Sequence, residues 1–347
     1  MQAAPRALDV LIVSLGSTRG LRTADDELRD SLVRAGARVA IARAIAPAST
    51  RTLMLTDLGW ARAARAAAIR ALADMPLEPR AIVYSSTTAA LLWPRPGAIR
   101  FDAPSAGNRP GRHGLWQRPL ERRRLERAPL LLPWSAAGLG QARAGARAAD
   151  RTLVVPVAVE ASGAPERERD IAAITYAANP IKKGFDRVLE AWRRVRGELP
   201  PGVPDELVVA GASDEDLEKA GLAAGEDGVR VVGALAQDQY RALLRRARVF
   251  VCAPRREDYG IAQLEALADG CLLVSTPAPG PYVALSLALS LDPRLVSEDL
   301  EGALRTALCD PRGDYAARAS DALAPFSRAA VDRVVADRLL GRLLDSC

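Results

Sequence analysis

The sequence predicts two α/β domains, each built on a doubly wound parallel sheet. Three observations carry this: a length of 347 residues, short apolar runs alternating with helix-patterned segments along both halves, and a composition that is 49% hydrophobic but only 4% aromatic. A single core stops growing well before this length, so two domains of ordinary size are expected. The composition has none of the polar bias of a disordered chain.

Residues 8–16, LDVLIVSLG, read as a buried strand closing on Gly16. Residues 23–36 read as a helix. Thr23 and Asp25 are placed to cap free amides, acids fill the first turn where the dipole favours them, Leu28, Leu32 and Val33 keep helical spacing, and Gly36 ends it. A second strand over 37–45 completes β-α-β, the unit of a parallel sheet. A helix over 59–73, a strand over 80–86, a basic helix over 120–128 and an apolar run at 128–135 extend the alternation, and the run TLVVPVAV at 152–159 closes the first half.

The polar stretch 160–170 reads as an interdomain linker, which puts the domains at 1–159 and 171–325. The second half starts with a strand over 171–178, the loop NPIKKG and a helix over 185–199. It continues with apolar strands at 205–211, 229–235, 248–254 and 271–280 and helices at 214–220, 238–247 and 261–270. Residues 326–347 read as an amphipathic helix expected to pack across the domain junction. The two sheets are expected to face a cleft, since open α/β sheets bind ligands at the carboxyl ends of their strands.

The net charge of +6 is uneven: residues 1–150 hold 23 Arg against 12 acids, and the remainder is net acidic. A basic half suits an acidic partner such as a phosphorylated lipid or an anionic membrane surface. The near-absence of Lys, which stands only at 182, 183 and 219, equally suits the codon bias of a GC-rich genome. Nucleic acid is a poor fit, because few aromatics are available to stack bases. Cys252, Cys271, Cys309 and Cys347 lack C-x-x-C spacing, and the lone His113 completes no zinc set. No leader peptide and no run of roughly 18 apolar residues is visible. The expectation is a cytoplasmic protein whose membrane contact, if any, is peripheral at the inner face.

Residues 248–280 carry the chemistry, in the order strand, polar loop, helix, strand. Glu257 precedes Gly260 in the loop, and Glu265 lies in the helix that starts there, seven residues separating the two acids. The free amides of Gly260, Ile261 and Ala262 are suited to a diphosphate, with Gly260 letting the backbone come close. Glu257 is then placed to accept from sugar hydroxyls and Glu265 from a ribose diol. The bland alternative is a pair of ordinary surface acids. The acids at 214–216 are better explained as a helix opening than as a metal motif.

This segment resembles the E-x7-E motif of retaining glycosyltransferases of family 4, through Glu257, Gly260, Leu264, Glu265, Ala266 and Gly270. A second feature of that family, a basic K-G pair opening a helix, is matched by Lys183, Gly184, Phe185, Asp186, Leu189 and Ala191. The resemblance implies the GT-B architecture and transfer of a sugar from a nucleotide-diphosphate donor, a UDP- or GDP-sugar, to a hydroxyl acceptor; the Arg-rich stretch Arg109 to Arg127 suggests an acceptor that is lipid-linked or anionic. The resemblance also implies that Lys183 neutralises the diphosphate, Glu257 contacts the transferred sugar and Glu265 holds the ribose, with no cofactor and no metal. The donor side would also take in Lys182, Asn179, Asp258, Tyr259 and Ile261. In that family the acceptor attacks from the leaving-group face, so anomeric configuration is retained. One departure is Ala178, where the family has an Arg; Lys182, Arg255 or Arg256 could replace its charge.

In the first half the resemblance is thinner. Gly16 and Ser17 follow the first strand and are candidate cleft residues, although LGSTRG is no dinucleotide fingerprint. Asp102 stands near a position where relatives carry His or His-Asp, and serves equally well as a turn cap. His113 lies in a Pro/Gly-rich loop, where a lone His is more often structural. Both are acceptor-side candidates. Two rival readings share the scaffold: a sugar-phosphate synthase or phosphorylase, and a non-catalytic nucleotide-sugar-binding protein.

Overall fold

The computed structural model describes residues 8–48, 50–142, 150–222, 225 and 227–345; Cys347 lies outside them. The chain divides into two units, one made of Met1–Ala158 with Phe326–Cys347 and one of Val159–Pro325. Among the described residues no helix is long and apolar enough to cross a membrane.

Unit 1 holds β1 (Val10–Ser14), β2 (Val39–Arg43), β3 (Ala81–Tyr84), β4 (Ala98–Phe101) and β5 (Leu131–Pro133), all parallel in the order β2-β1-β3-β4-β5. Alternate residues of β1 feed different layers, as a pleated strand buried on both faces requires. Leu11 and Val13 join Ala64, Ala67 and Ala68 of the helix Leu53–Ala73. Val10 and Ile12 join Leu28 and Leu32 of the helix Arg19–Arg34, together with Val331, Val335, Leu339 and Leu343 of the last segment. The terminal segment is thus part of the unit 1 core, and it is broken into Arg328–Val334, a π-helical Val335–Leu339 and Leu340–Asp345.

Several local expectations change. The first helix starts at Arg19 under Thr18, whose side chain accepts from the Leu21 amide, and not at Thr23. Asp25 is therefore no cap. It is buried, takes the Ser14 hydroxyl at 2.6 Å and lies 3.5 Å from the buried guanidinium of Arg100. The next helix starts at Leu53 under Thr52. β4 is a strand that the apolar pattern did not single out. The run at 152–159 forms only a bridge between Thr152 and Leu131, with Pro156 unable to donate to a ladder.

Unit 2 holds β6 (Ile171–Tyr176), β7 (Leu207–Ala210), β8 (Val229–Gly233), β9 (Ala247–Cys252) and β10 (Leu272–Ser275), all parallel in the order β10-β9-β6-β7-β8. The chain runs outward from β6 through β7 to β8, then returns to the other side of β6 with β9. The boundary between β6 and β9 is a topological switch point, the place where open α/β sheets bind ligands at the carboxyl ends of their strands. Residues 160–170, read as a linker, are tied to this unit. Ser162 donates twice to Asp269, the Glu166 amide bonds the Arg245 carbonyl at 3.1 Å, and Pro165 packs on Gly270. Asp214, Glu215 and Asp216 open the helix Asp214–Lys219, where Ser213 and Asp216 form a reciprocal capping box.

Candidate functional site

The two loops that leave β6 and β9 at the switch point carry most of the residues singled out in the sequence. After β6, Asn179 caps the short turn Pro180–Lys183 by accepting from the Lys182 amide at 3.0 Å, and Pro180 supplies a backbone preset for the first helical position. Gly184 ends that turn with φ 64°, and a Cβ built there would lie 1.8 Å from the Ala253 carbonyl oxygen. The absence of a side chain is what lets the two loops touch, and the Arg255 amide donates to the Lys182 carbonyl at 3.0 Å beside that contact.

This approach joins Lys183 to Glu257. The ammonium lies 2.5 Å from Glu257 Oε2, the Gln263 amide donates to the same oxygen from 3.3 Å, and the Asp258 amide donates to Oε1 from 3.2 Å. Glu257 is only 7% exposed. Burial pushes its carboxyl upward, but the charge and hydrogen bond of Lys183, helped by Lys182 and Gln263, outweigh it and hold the carboxyl below its ordinary range. The loop is locked from behind by Gly280, at φ 127°, where a Cβ would lie 2.0 Å from the Glu257 carbonyl oxygen.

Asp258 is the focus of a neighbouring charge group, with Arg256 Nε at 2.8 Å and Lys182 Nζ at 3.7 Å. Arg255 instead reaches Asp186 at 2.6 Å and the Ile181 carbonyl at 3.1 Å. Of the three cations considered as replacements at the exposed Ala178, Arg255 is thus drawn to the side of the helix Phe185–Arg196, while Lys182 and Arg256 converge on Asp258.

Gly260 enters the helix Ile261–Ala268 with φ 92°, and a Cβ there would meet the Tyr282 ring at 2.8 Å and Ala284 at 2.9 Å. As a glycine, the cap residue Gly260 brings no side chain to this helix start. Its first amides are the kind of donor group that binds anions. Tyr259 is buried, and its carbonyl accepts from the Ala284 amide. Glu265, one turn further, accepts from Gln237 Nε2 at 2.5 Å and lies 3.8 Å from Arg241, whose guanidinium makes a two-pronged contact with the buried Asp269.

Gln237, Arg241 and Gln263 were not identified from sequence. The one available signal was for Gln263, a polar side chain one turn before Leu267 and so on that residue's side of the helix. Gly16, Ser17, Asp102 and His113 lie in unit 1. Gly16, at φ 58°, accepts from Arg22 at 2.8 Å, Ser17 is half-buried, Asp102 Oδ1 takes the Ala103 amide at 2.7 Å in a local turn, and His113 is exposed on the 3₁₀ turn Gly111–Gly114. The arginines of 109–127 are partly used internally. Arg109 pairs with Asp57, Arg118 with the Gly111 and Gly114 carbonyls, and Arg124 lies over the Trp93 ring.

Residues 169–309 match the family model of group 1 glycosyl transferases. A GDP-mannose:cellobiosyl-diphosphopolyprenol alpha-mannosyltransferase of Xanthomonas oryzae pv. oryzae is 36% identical over 85 residues, 23% of this chain. That match spans 22% of the relative's own length. Among solved structures, a sucrose-phosphate synthase of Thermosynechococcus elongatus superposes with a TM-score of 0.66 at 16% identity, covering 99% of this chain and all of the other. HepE of Anabaena, solved with UDP-glucose, superposes with a TM-score of 0.66 at 14% identity over 97% of this chain and all of the other. The two parallel-sheet units are those of the GT-B fold.

Proposed function

We propose that the protein is a glycosyltransferase that moves a sugar from a nucleotide-diphosphate donor to a hydroxyl acceptor, with retention of anomeric configuration and without a metal. The observation that carries this reading is the pairing of Lys183 with Glu257 beside the glycine-led start of the helix Ile261–Ala268, at the carboxyl ends of β6 and β9. In it the helix amides and the Lys183 ammonium receive the diphosphate, Glu257 accepts from hydroxyls of the transferred sugar, and Glu265 accepts from the ribose.

Departure of the sugar leaves negative charge on the diphosphate and positive charge at the anomeric carbon. Fixed amides and an ammonium on the departing side lower that barrier more than they stabilise the bound donor. The acceptor hydroxyl attacks from the same face and passes its proton to the phosphate. No side-chain base is assigned. The names of the relative and of the solved neighbour pair a nucleotide with mannose or glucose, and the relative's acceptor is a cellobiosyl-diphosphopolyprenol. GDP-mannose, UDP-glucose and acceptors carrying a sugar on a lipid diphosphate are therefore the first substrates to test. A synthase or phosphorylase on this scaffold would be recognised by its product.

The test is a thermal-shift screen against UDP, GDP, ADP and their sugar conjugates without added metal. At a hundredfold excess over Kd the expected rise is on the order of 5 °C for the cognate nucleotide. Glu265→Ala should abolish it. A protein shifted by none of them would sink the reading.

A further inference from the structure

The Glu257 carboxylate is held by three proton donors, and the proposed reaction calls one of them away. Oε2 takes Lys183 at 2.5 Å and Gln263 at 3.3 Å, and Oε1 takes the Asp258 amide at 3.2 Å. Lys183 is also the ammonium assigned to the diphosphate, so donor binding competes with the ion pair. We propose that Gln263 is a positioning residue that keeps the Glu257 carboxylate aimed at the donor sugar once Lys183 has moved to the diphosphate. This rests on the nucleotide-sugar reading above and deepens it.

Gln263 lies in the first turn of the helix Ile261–Ala268 and is 2% exposed, with Nε2 also 3.8 Å from Cys252 Sγ. Its Oε1 is buried and has no hydrogen-bond partner among the described residues. An unmet buried acceptor costs stability, and an apolar side chain of similar shape would avoid that cost. Turning the amide over would set its oxygen against the Glu257 carboxylate, so the repulsion fixes Nε2 toward Glu257 even though Oε1 goes unpaired. Packing does not account for such a side chain. Service to Glu257 does.

The charged and titratable groups around Glu257 are Lys182 and Lys183 from the turn after β6, Arg256 and Asp258 on its own loop, Cys252 at the end of β9, and Tyr282. Burial raises the Glu257 carboxyl, and the largest opposing influence is Lys183. When the ammonium leaves, its lowering influence goes with it and burial pushes the carboxyl upward. The Gln263 N–H favours the charged form and limits that rise.

The experiment measures affinity for GDP and UDP between pH 5 and 8, with melting temperatures, for wild type, Gln263→Met, Gln263→Leu and Glu257→Gln. In wild type, nucleoside diphosphate affinity should strengthen as pH falls, because Glu257 takes up a proton when Lys183 leaves. In Gln263→Met and Gln263→Leu the strengthening should begin about one pH unit higher. In Glu257→Gln it should vanish. Both Gln263 variants should melt at or above the wild-type temperature. Identical pH profiles in wild type and Gln263→Met overturn the inference and leave the donor reading standing. Loss of folding in both Gln263 variants would make Gln263 a core residue and overturn it too. A wild type that binds no nucleoside diphosphate overturns the donor reading and the inference with it.

Discussion

At Gly184 the lack of a side chain decides where a catalytic candidate stands. The residue combines φ 64° with a Cβ position 1.8 Å from a backbone oxygen of the neighbouring loop, and neither the strain nor the collision is relieved by a rotamer change. Gly184→Ala is expected to cost on the order of 3 kcal/mol and to separate Lys183 from Glu257. Gly36, at φ 92° with open space around it, isolates the backbone strain alone, and Gly36→Ala should cost about 1 kcal/mol. Urea denaturation of both variants checks the difference; equal costs would mean that the loop after β9 gives way freely. At this scale Glu257, Gly260 and Glu265 stood out as candidates because two acids and a glycine at fixed offsets around a helix start suit a nucleotide sugar, and Lys183 because its K-G pair resembles a family feature. Arg241 and Gln237 were not, since an Arg among many and a Gln opening a helix carry no positional signal until the fold sets them against Glu265. Asp25 was misread for the converse reason. An acid near an apparent helix start looks like a cap, and only the true start at Arg19 turns it inward to Arg100.

Elements were legible where their pattern was long and missed where it was short. β4 is four residues, AIRF, hemmed by Pro94, Pro96 and Gly97 on one side and Pro104 on the other, and its Arg100 breaks the apolar run although it is buried. Its burial depends on Asp25 and on the Trp134 ring 4.8 Å away, both remote in sequence. The terminal segment was legible as amphipathic, but its apolar stripe does not say which surface receives it. What receives it is the helix Arg19–Arg34, where Arg34 makes a two-pronged contact with Asp332 and Ser31 donates to the same carboxylate at 2.5 Å. The Arg34 hydrogen bond, with further help from Ser31, holds the Asp332 carboxyl below its ordinary 3.8. A carboxyl lowered by folding stabilises the fold above its unfolded pKa, and that contribution is lost as pH falls through the lowered value. Asp332→Asn should therefore cost about 1 kcal/mol at pH 7, a modest figure because the pair is partly exposed. The gap between variant and wild type should narrow at pH 3. Denaturation at both pH values tests this, and an unchanged gap would show that charge is not what joins the two helices.

Over the whole chain, sequence order and spatial unit do not coincide. Unit 2 is one continuous stretch, Val159–Pro325, and holds Lys183, Glu257, Gln263 and Glu265 within itself. Unit 1 is assembled from two stretches, and the second completes the layer over Val10 and Ile12 with Val331, Val335, Leu339 and Leu343. Each of those four side chains is buried, and burying one contributes about 1.5–3 kcal/mol. Together they are comparable with the whole net stability of an ordinary domain, about 5–15 kcal/mol. A chain ending at Pro325 should therefore lose the calorimetric transition of unit 1, or show it at a far lower temperature. Unit 2 loses none of its own residues by that cut. If the donor site is contained in unit 2, the remaining transition should still rise with the cognate nucleoside diphosphate, whereas a shortened chain that keeps both transitions would show that the last segment merely covers a unit 1 core already stable without it.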